Sequence, residues 1–387
     1  MRVFLSVGEP SGDVHGANLI RALQTFDPNV ECVGFGGDRM AEAGCDHLFN
    51  LCNHAVMGFS EVLASVPRLI GLVRKADHYF RRHRPDAVVL IDYPGFNWWI
   101  ARRAHRHRIP VFYFVPPQLW AWAGWRIKKV KQFVDHTLCA LPFEAEWFRE
   151  RGVDAEYVGH PFFDELPRQQ LDMEMMDSQR RKGGTIVGLL PGSRTQEVEM
   201  NFLSQIRAAE RIHAERPDTR FLAACFKESH QQAIDRLCRE FPHVPVETFV
   251  GKTPEIIELS KTCISVSGSV SLELLYRNKP TVIVYRLSNW TALLIWPLVN
   301  IRFITLVNIL AKKRLFPEYL TIDCEAPGMA RETLRWLNDE RHFNETCREL
   351  SALRAKGAAP GACGRAAERI VEVVTGKDFT AARPLAA

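Results

Sequence analysis

Residues 1–16 read Met1-Arg-Val-Phe-Leu-Ser-Val-Gly-Glu-Pro-Ser-Gly-Asp-Val-His-Gly16, and they set the pattern of the whole chain. The mostly apolar run Val3–Val7 is typical of a strand that is buried on both faces of a sheet. Glycine and polar residues follow at once, and an amphipathic helical segment comes next near Val14–Thr25. The apolar run is too short, and too soon broken by glycine and proline, for a signal peptide. We therefore predict a first strand, a turn and a helix.

The same alternation of strand and helix repeats along the chain. In the first half, further strands are predicted at Glu31–Val33, Ala87–Ile91, Val111–Val115, Thr137–Ala140 and Ala155–Val158. A polar stretch from Asp164 to Gly184 has the composition of an interdomain linker. Beyond it, strands are predicted at Thr185–Leu190, Arg220–Ala224, Val246–Val250, Thr262–Val266 and Thr281–Val284, and the chain is then helical. Strands that alternate with helices favour parallel sheets covered by helices.

The length of 387 residues exceeds the size at which a single core usually stops growing. We predict an α/β protein of two facing Rossmann-like domains with a helical C-terminal tail. The N-terminal domain spans residues 1–165 and the C-terminal domain residues 166–360. The tail helix lies within 361–387 and ends in a flexible segment, because the last residues offer little to bury.

The composition indicates the redox compartment of the protein and the kinds of partner it can bind. Ten scattered cysteines without a C-x-x-C pair fit a reducing cytosol better than a disulfide-bonded secreted protein. The net charge of +5 is concentrated in three basic clusters, which are 81–84, 102–108 and 126–131. Either these clusters are solvated helix faces, or they attract anionic lipid or phosphorylated ligands. No standard nucleic-acid motif is present, so no nucleic-acid partner is expected.

The apolar segment Trp290–Ala311 resembles a membrane span but contains Pro297, Asn300 and Arg302. An arginine near the centre of a span costs about 2.5–3.5 kcal/mol on insertion scales. We therefore predict buried or interfacial helices with a break at Pro297.

Ligands of open α/β sheets bind where the strands end at their carboxyl edge. The turn after the first strand offers Ser11, Gly12, Asp13 and His15. Ser11 or Asp13 can cap the following helix, so an ordinary strand–helix turn is one interpretation. The excess of polar groups, which includes Glu9, favours a ligand site in the N-terminal domain.

Two further loops of the first half carry candidate residues. Asp92 follows the strand that ends at Ile91 and is pinned by a Pro-Gly pair, which suits acid–base chemistry, although a helix cap is the alternative. The next strand leads into Pro116–Trp125, with Gln118, Trp120 and two more tryptophans. These tryptophans belong either to the core or to a surface that stacks on sugar or contacts acyl chains, and the sequence leaves both open.

In the second half, two strands end in turns of small residues that enter helices. The candidate residues there are Gly192, Ser193, Arg194, Ser267, Gly268, Ser269 and Glu273. Backbone N–H groups at a helix start, together with an arginine, favour binding of a phosphate, and Glu273 is placed to accept ribose hydroxyls. Plain helix starts are the alternative. No D-x-D pair occurs, so no Mg²⁺ bridge, other metal or cofactor is expected.

Ten strings in order resemble one family, the lipid A disaccharide synthases. They are Gly8-Glu-x-Ser-Gly-Asp13, Val56-Met-Gly58 with Glu61-Val-Leu63, Ile91-Asp-x-Pro94, Pro117-Gln-x-Trp-Ala-Trp122, Leu141-Pro-Phe-Glu144, Gly159-His-Pro161, Leu190-Pro-Gly-Ser-Arg194, Glu197-Val-Glu199, Ser267-Gly268 and Leu306-x-Asn308. This chain departs from the usual family pattern of residues near Val307, Tyr319 and Ser269-Val-Ser271.

The resemblance implies a GT-B fold, a homodimer and a last helix that returns to the N-terminal domain. It implies an inverting, metal-independent transfer from UDP-2,3-diacylglucosamine to 2,3-diacylglucosamine 1-phosphate, which gives a β(1→6) disaccharide 1-phosphate and UDP. The UDP would bind Arg194, Ser267–Ser269, Glu273 and Asn308. Asp92 would be the essential polar residue of the N-terminal domain, and we predict it to be the general base, with Glu9 as second choice.

Acylated substrates require contact with a bilayer, which predicts a cytoplasmic enzyme attached peripherally to the inner membrane. The apolar side chains Val62, Val66, Leu69 and Ile70 lie among basic residues and are predicted to enter the headgroup region, with a core-facing helix as the alternative. A UDP-sugar 2-epimerase is the rival enzyme. A non-catalytic lipid or nucleic-acid binder is the rival of a different class.

Overall fold

The computed structural model describes residues 1–52, 59–287, 303–358 and 360–377, without the side chains of residues 59–65 and 122. The chain divides into two compact units. Unit 1 comprises Met1–Glu165 together with Ala359–Ala387, and unit 2 comprises Leu166–Ala358.

Unit 1 is built on a seven-stranded parallel sheet. Its strands are β1 (Arg2–Val7), β2 (Glu31–Gly36), β3 (Cys45–Asn50), β4 (Ala87–Ile91), β5 (Val111–Phe114), β6 (His136–Cys139) and β7 (Ala155–Tyr157). They lie in the order β3-β2-β1-β4-β5-β6-β7. Val7 pairs with Ile91, so the turns that follow β1 and β4 leave the sheet side by side.

Helices cover both faces of this sheet. They are α1 (Pro10–Phe26), α2 (Asp38–Glu42), α3 (Phe59–His83), α4 (Pro94–Arg106), α5 (Leu119–Trp122), α6 (Ile127–Phe133), α7 (Pro142–Arg149) and α8 (Phe162–Glu165). Proline stands at the start of α1, α4 and α7, where its missing N–H is no loss. Phe4 and Leu5 enter opposite buried clusters because successive strand residues point to opposite faces.

The last helix of the described chain, Ala362–Thr375, also belongs to unit 1. Its buried residues Ile370 and Val371 join the cluster that includes Leu19 of α1. The carboxylate of Asp164 accepts the N–H groups of Gly361, Ala362 and Cys363 at the start of this helix. An anion at a helix N-terminus satisfies unpaired donors and complements the helix dipole.

Unit 2 repeats the plan with a six-stranded parallel sheet in the order β10-β9-β8-β11-β12-β13. The strands are β8 (Thr185–Leu190), β9 (Thr219–Cys225), β10 (Val246–Val250), β11 (Thr262–Val266), β12 (Thr281–Arg286) and β13 (Glu318–Thr321). The helices are α9 (Met173–Arg181), α10 (Thr195–Glu215), α11 (Glu228–Cys238), α12 (Thr253–Leu259), α13 (Val270–Tyr276), α14 (Leu306–Ala311), α15 (Ala326–Asn338) and α16 (Glu340–Gly357), so the last helix, in unit 1, is α17. Ser265 pairs with Leu190, so the turns after β8 and β11 are neighbours.

The predicted α/β alternation is confirmed, and every predicted strand is present. The predicted linker Asp164–Gly184 was wrong over most of its length, because α9 packs into unit 2. Asp172 caps this helix through the N–H of Met175, and Gln179 is buried where it accepts a bond from Arg220. Its polar composition reflects both hydrogen bonds inside the unit and an exposed helix face.

The predicted break at Pro297 lies outside the described residues, as do most of the apolar segment Trp290–Ala311 and the predicted flexible end. The end of that segment forms α14. Among the helices that the structure describes, none combines the length and apolar character needed to cross a bilayer.

Candidate active site

The turn after β4 holds Asp92 in a strained backbone conformation. Asp92 and Tyr93 have φ angles of 47° and 44°, in the left-handed region that non-glycine residues seldom adopt. Such residues cost on the order of 1–3 kcal/mol each and persist only where their surroundings hold them. Here the carbonyl oxygen of Asp92 accepts bonds from Asn97 Nδ2 at 2.8 Å and from the Tyr113 hydroxyl at 2.9 Å. These bonds hold the turn in this conformation.

The electrostatic setting of Asp92 suits a base. Burial raises the pKa of its carboxyl group, and the N–H of Tyr93 opposes that shift. A carboxylate with a raised pKa takes up a proton more readily than an ordinary aspartate. Asp92 therefore fits the predicted role better than a solvated aspartate does.

Glu9 and Gly8 lie on the neighbouring turn. A Cβ atom on Gly8 would lie 2.2 Å from the ring of Tyr93, so only glycine permits this contact. Burial first, and then the charge of Glu9, raises the pKa of the Tyr93 hydroxyl. The structure thus brings both predicted carboxylates, Glu9 and Asp92, next to Tyr93.

Asp13 has a structural role that the sequence did not reveal. Its carboxylate accepts the N–H groups of Gly37 at 2.8 Å, Arg39 at 3.0 Å and Met40 at 3.2 Å. It therefore caps α2 and not α1, whose N-cap residue is Glu9. This corrects the role expected of Asp13 as a cap of α1.

The other residues of this turn divide between surface and interior. Ser11 is exposed, whereas Gly12 is buried. His15 is also buried, with its ring 6.1 Å from that of His160, and its carbonyl oxygen lies near the thiol of Cys363 at the start of α17. Burial lowers the pKa of His15 to about 4, so the ring is neutral and lies in the interior rather than in a ligand loop.

The tryptophan-rich loop is anchored by a buried acid. Trp120 Nε1 donates to Glu144 Oε1 at 3.1 Å, and burial raises the pKa of Glu144 to about 8 despite this bond. Trp120 is half-buried, while Gln118 and Trp125 are exposed. Of the two interpretations, Trp120 fits a side chain held from within, and Trp125 fits a surface contact.

Unit 2 contains a cavity of about 250 Å³ at the carboxyl ends of its strands. Its lining consists of Leu190, Gly192, Ser193, Arg194, Glu197, Ala224, Phe226, Thr253, Val266, Ser267, Gly268, Ser269 and Val270. The two small-residue turns predicted from the sequence therefore share one cavity. Phe226 and Thr253 were not foreseen, because neither stands in a recognisable motif.

Arg194 is the N-cap residue of α10, and its side chain is 57 % exposed. The first N–H groups of a helix and its dipole attract anions, and a guanidinium adds charge and paired donors. The opposite wall, Ser267–Ser269, brings the start of α13 to the same cavity. This arrangement can bind a phosphorylated ligand.

Two predicted binding residues are occupied within the protein. Glu273 is buried, does not line the cavity and accepts Arg277 Nε at 2.9 Å. Asn308 is fully buried, where its side chain donates to Phe316 O at 2.7 Å and accepts the N–H of Leu315 at 2.8 Å. Asn308 thus ties α14 to the segment that leads into β13.

The predicted membrane helix α3 has two different faces. Leu72 lies in the core and Leu69 packs against it, whereas Val66 is 42 % and Ile70 is 47 % exposed. Val66, Leu69 and Ile70, together with Trp99 of α4, which is 53 % exposed, line an apolar cavity of about 490 Å³. Two arginines, Arg74 and Arg103, also line it. The side chain of Val62 lies outside the described residues.

Two α/β units, each built on a parallel sheet, define the GT-B fold. Two solved structures share this fold: the S. aureus MnaA–UDP complex, with a TM-score of 0.67 and 11 % identity over 97 % of both chains, and the glycotransferase of kitacinnamycin, with a TM-score of 0.64 and 14 % identity over 96 % of this chain and 98 % of that one.

Residues 3–371 match the lipid-A-disaccharide synthetase family, and the chain belongs to that family. A lipid-A-disaccharide synthase from Anaeromyxobacter dehalogenans is 34 % identical over 96 % of this chain and 97 % of its own length. The resemblance seen in the sequence is therefore confirmed.

Proposed function

We propose that the enzyme transfers 2,3-diacylglucosamine from UDP to 2,3-diacylglucosamine 1-phosphate. The products are the β(1→6)-linked disaccharide 1-phosphate and UDP. Family membership supports the reaction class, and the curated relative is named for the synthesis of this disaccharide. We assign the donor nucleotide to unit 2 and the acceptor to unit 1.

The observation that carries the proposal is the cavity of unit 2. A UDP leaving group carries charge on its diphosphate, and that charge must be stabilised as the sugar–phosphate bond breaks. Arg194 and the N-terminus of α10 stand on one side of the cavity, and the Ser267–Ser269 turn stands on the other. These groups stabilise the diphosphate without a metal in our mechanism, which agrees with the lack of a D-x-D pair.

Asp92 supplies the acid–base step in this mechanism. The 6-hydroxyl group of the acceptor gives its proton to the Asp92 carboxylate while its oxygen attacks the anomeric carbon. UDP departs from the opposite face, which inverts the anomeric configuration. Burial raises the pKa of Asp92, and the strained turn holds its backbone, so both features favour this role over Glu9.

The test is product analysis with the whole protein, UDP-2,3-diacylglucosamine and acceptor labelled in its 1-phosphate. Thin-layer separation should show a labelled disaccharide phosphate, and UDP should appear in equal amount. Turnover of the donor without acceptor and without net UDP release would instead support the 2-epimerase alternative. No turnover, with binding of acylated sugar only, would support a non-catalytic binder.

We also propose that α3 attaches the enzyme peripherally to the cytoplasmic face of the inner membrane. Val66 and Ile70 are exposed apolar side chains beside Arg74, a combination that suits an anionic bilayer surface. A Val66→Ser, Ile70→Ser double variant should fold normally and bind anionic vesicles less well. The control is Leu72→Ser in the core, which should lower the melting temperature. Unchanged vesicle binding by the double variant would remove this surface from the proposal.

A further inference from the structure

The cavity of unit 2 contains its own anion. Among the described residues that line it, Glu197 is the sole acidic side chain and Arg194 the sole basic one. Glu197 lies in the first turn of α10 and reaches back over the turn that precedes the helix. Its side chain is only 15 % exposed, so the carboxylate lies against the protein rather than in solvent.

The Glu197 carboxylate occupies the donors that a phosphate would use. Its Oε2 atom accepts the backbone N–H of Ser193 at 3.1 Å and that of Arg194 at 3.2 Å. Its Oε1 atom lies 3.3 Å from Nη1 of Arg194. Two backbone N–H groups and one guanidinium form the set of donors to which we assign the diphosphate of the donor substrate.

The backbone of the turn is shaped for this contact. Gly192 has a φ angle of 116°, and a Cβ atom at this position would lie 2.6 Å from both Cβ and Oε2 of Glu197. Only glycine therefore lets the Glu197 side chain fold over the turn.

We propose that Glu197 is an internal competitor for the diphosphate of the donor, an inference that rests on the proposed donor site in unit 2. Two anions cannot both accept the N–H groups of Ser193 and Arg194, because each N–H has one hydrogen and the charges repel. When UDP-sugar binds, the Glu197 carboxylate leaves these donors, and Arg194 turns from it to the phosphate. When the reaction is over, the carboxylate returns and favours the release of UDP.

The competitor role and a plain capping role make opposite predictions. A carboxylate that only holds the turn in shape helps the ligand, so its removal weakens UDP binding. A carboxylate that competes with the ligand opposes it, so its removal tightens UDP binding. Glu197→Gln keeps the size of the side chain but makes it a weaker acceptor without charge, and Glu197→Ala removes the acceptor altogether.

The experiment is titration calorimetry of the full chain with UDP and with uridine, for wild type, Glu197→Gln, Glu197→Ala and Glu199→Gln. Glu199 is an exposed carboxylate in the same helix, so its variant controls for the change in net charge. We expect Glu197→Gln to bind UDP roughly tenfold tighter than wild type. Uridine binding should not change in any variant, because uridine has no phosphate, and Glu199→Gln should resemble wild type.

The outcomes distinguish failure of the competitor role of Glu197 from failure of the donor site in unit 2. If wild type binds UDP and both Glu197 variants bind it equally or more weakly, the competitor role is overturned and the donor site stands. Equal tightening by Glu199→Gln would also overturn it, because general charge would then be the cause. If wild type does not bind UDP, the donor site itself fails, and the inference fails with it.

Discussion

The turns after β1 and β8 occupy the same place in their sheets, yet one is closed and the other is open. Each strand is the third from one edge, and each is followed by a glycine turn and a long helix. After β1, the ring of Tyr93 covers Gly8, and a Cβ atom on Gly12 would lie 2.8 Å from Val7. After β8, the turn lines a cavity. The group that covers this turn is the carboxylate of Glu197, at the end of a long side chain.

The difference shows what decides whether a helix start can bind an anion. At both helix starts the first N–H groups have no acceptor within their own helix, and the helix dipole favours an anion. In unit 1 the neighbouring turn, which follows β4, fills the space with the ring of Tyr93, and it carries Asp92, the base that we propose. In unit 2 the neighbouring turn, Ser267–Ser269, has small side chains and leaves room. The size of the side chains on the turn after the adjacent strand, rather than the glycine pattern, therefore decides whether the helix start is open to an anion.

The largest effect should come from removing the base that we propose in unit 1. Asp92→Asn keeps the shape of the side chain but cannot take up the proton, so kcat should fall by roughly 10²–10⁴-fold. UDP affinity should not change, because the nucleotide is assigned to unit 2. Steady-state kinetics and calorimetry measure the two quantities, and Glu9→Gln is the matched control. Near-normal turnover of Asp92→Asn, or a larger loss in Glu9→Gln, would transfer the role of base away from Asp92.

Removal of the guanidinium in unit 2 should have the next largest effect. Hydrogen bonds to charged groups contribute about 1.5–3 kcal/mol, so Arg194→Ala should weaken UDP binding roughly 10- to 100-fold. Transfer should fall as well, because in the proposed mechanism the same group stabilises the leaving diphosphate. Arg207→Ala is the control, since Arg207 is an exposed arginine of the same helix. An unchanged UDP affinity in Arg194→Ala would refute the phosphate assignment.

Alanine at each of the two glycines tests the comparison directly. Gly192→Ala places a Cβ against Glu197 at a φ of 116°, which displaces the carboxylate but also distorts the turn that holds the Ser193 and Arg194 N–H groups. We expect roughly tenfold weaker UDP binding, because the distortion of these donors outweighs the release of the carboxylate. Gly8→Ala displaces the Tyr93 ring and should lower kcat about tenfold through the Asp92 turn, with UDP affinity unchanged. If both variants changed the same quantity, the division of roles between the turns would be wrong.

The smallest effect concerns acid stability in unit 1. Burial lowers the pKa of His15 to about 4 and that of His160 to about 3, so both are neutral when folded. The unfolded chain, with ordinary pKa values near 6.5, binds these protons as the pH falls, so stability decreases below about pH 6.5. From pH 7 to pH 6 the free energy of unfolding should fall by on the order of 1 kcal/mol. Denaturant titrations at the two values measure it, and His15→Gln should show a smaller decrease.

The strands that the sequence did not predict are both at the edges of their sheets. β3, Cys45–Asn50, and β13, Glu318–Thr321, consist mainly of half-buried residues with polar side chains among them. Central strands are covered on both faces, so their sequences are continuous apolar runs. Edge strands are partly exposed, so their sequences can include polar residues. β4 and β8 are predicted to the residue, and so is the edge strand β10, which keeps the strand-favouring residues Val246, Thr248 and Val250. β3 and β13 lack both an apolar run and such a series of β-branched residues, so the sequence does not predict them.

The sequence by itself determined the alternation of strand and helix, the two small-residue turns of unit 2 and the aspartate after β4, because these depend on local composition and order along the chain. Only the tertiary structure decided that Asp13 caps α2 and that the side chain of Asn308 is hydrogen-bonded within the fold. It also decided that the carboxylate of Glu197 accepts the N–H groups of Ser193 and Arg194. Those facts depend on which polar groups meet across the fold. A side chain that can bind a ligand can equally satisfy a buried donor, and only its neighbours in space choose between the two.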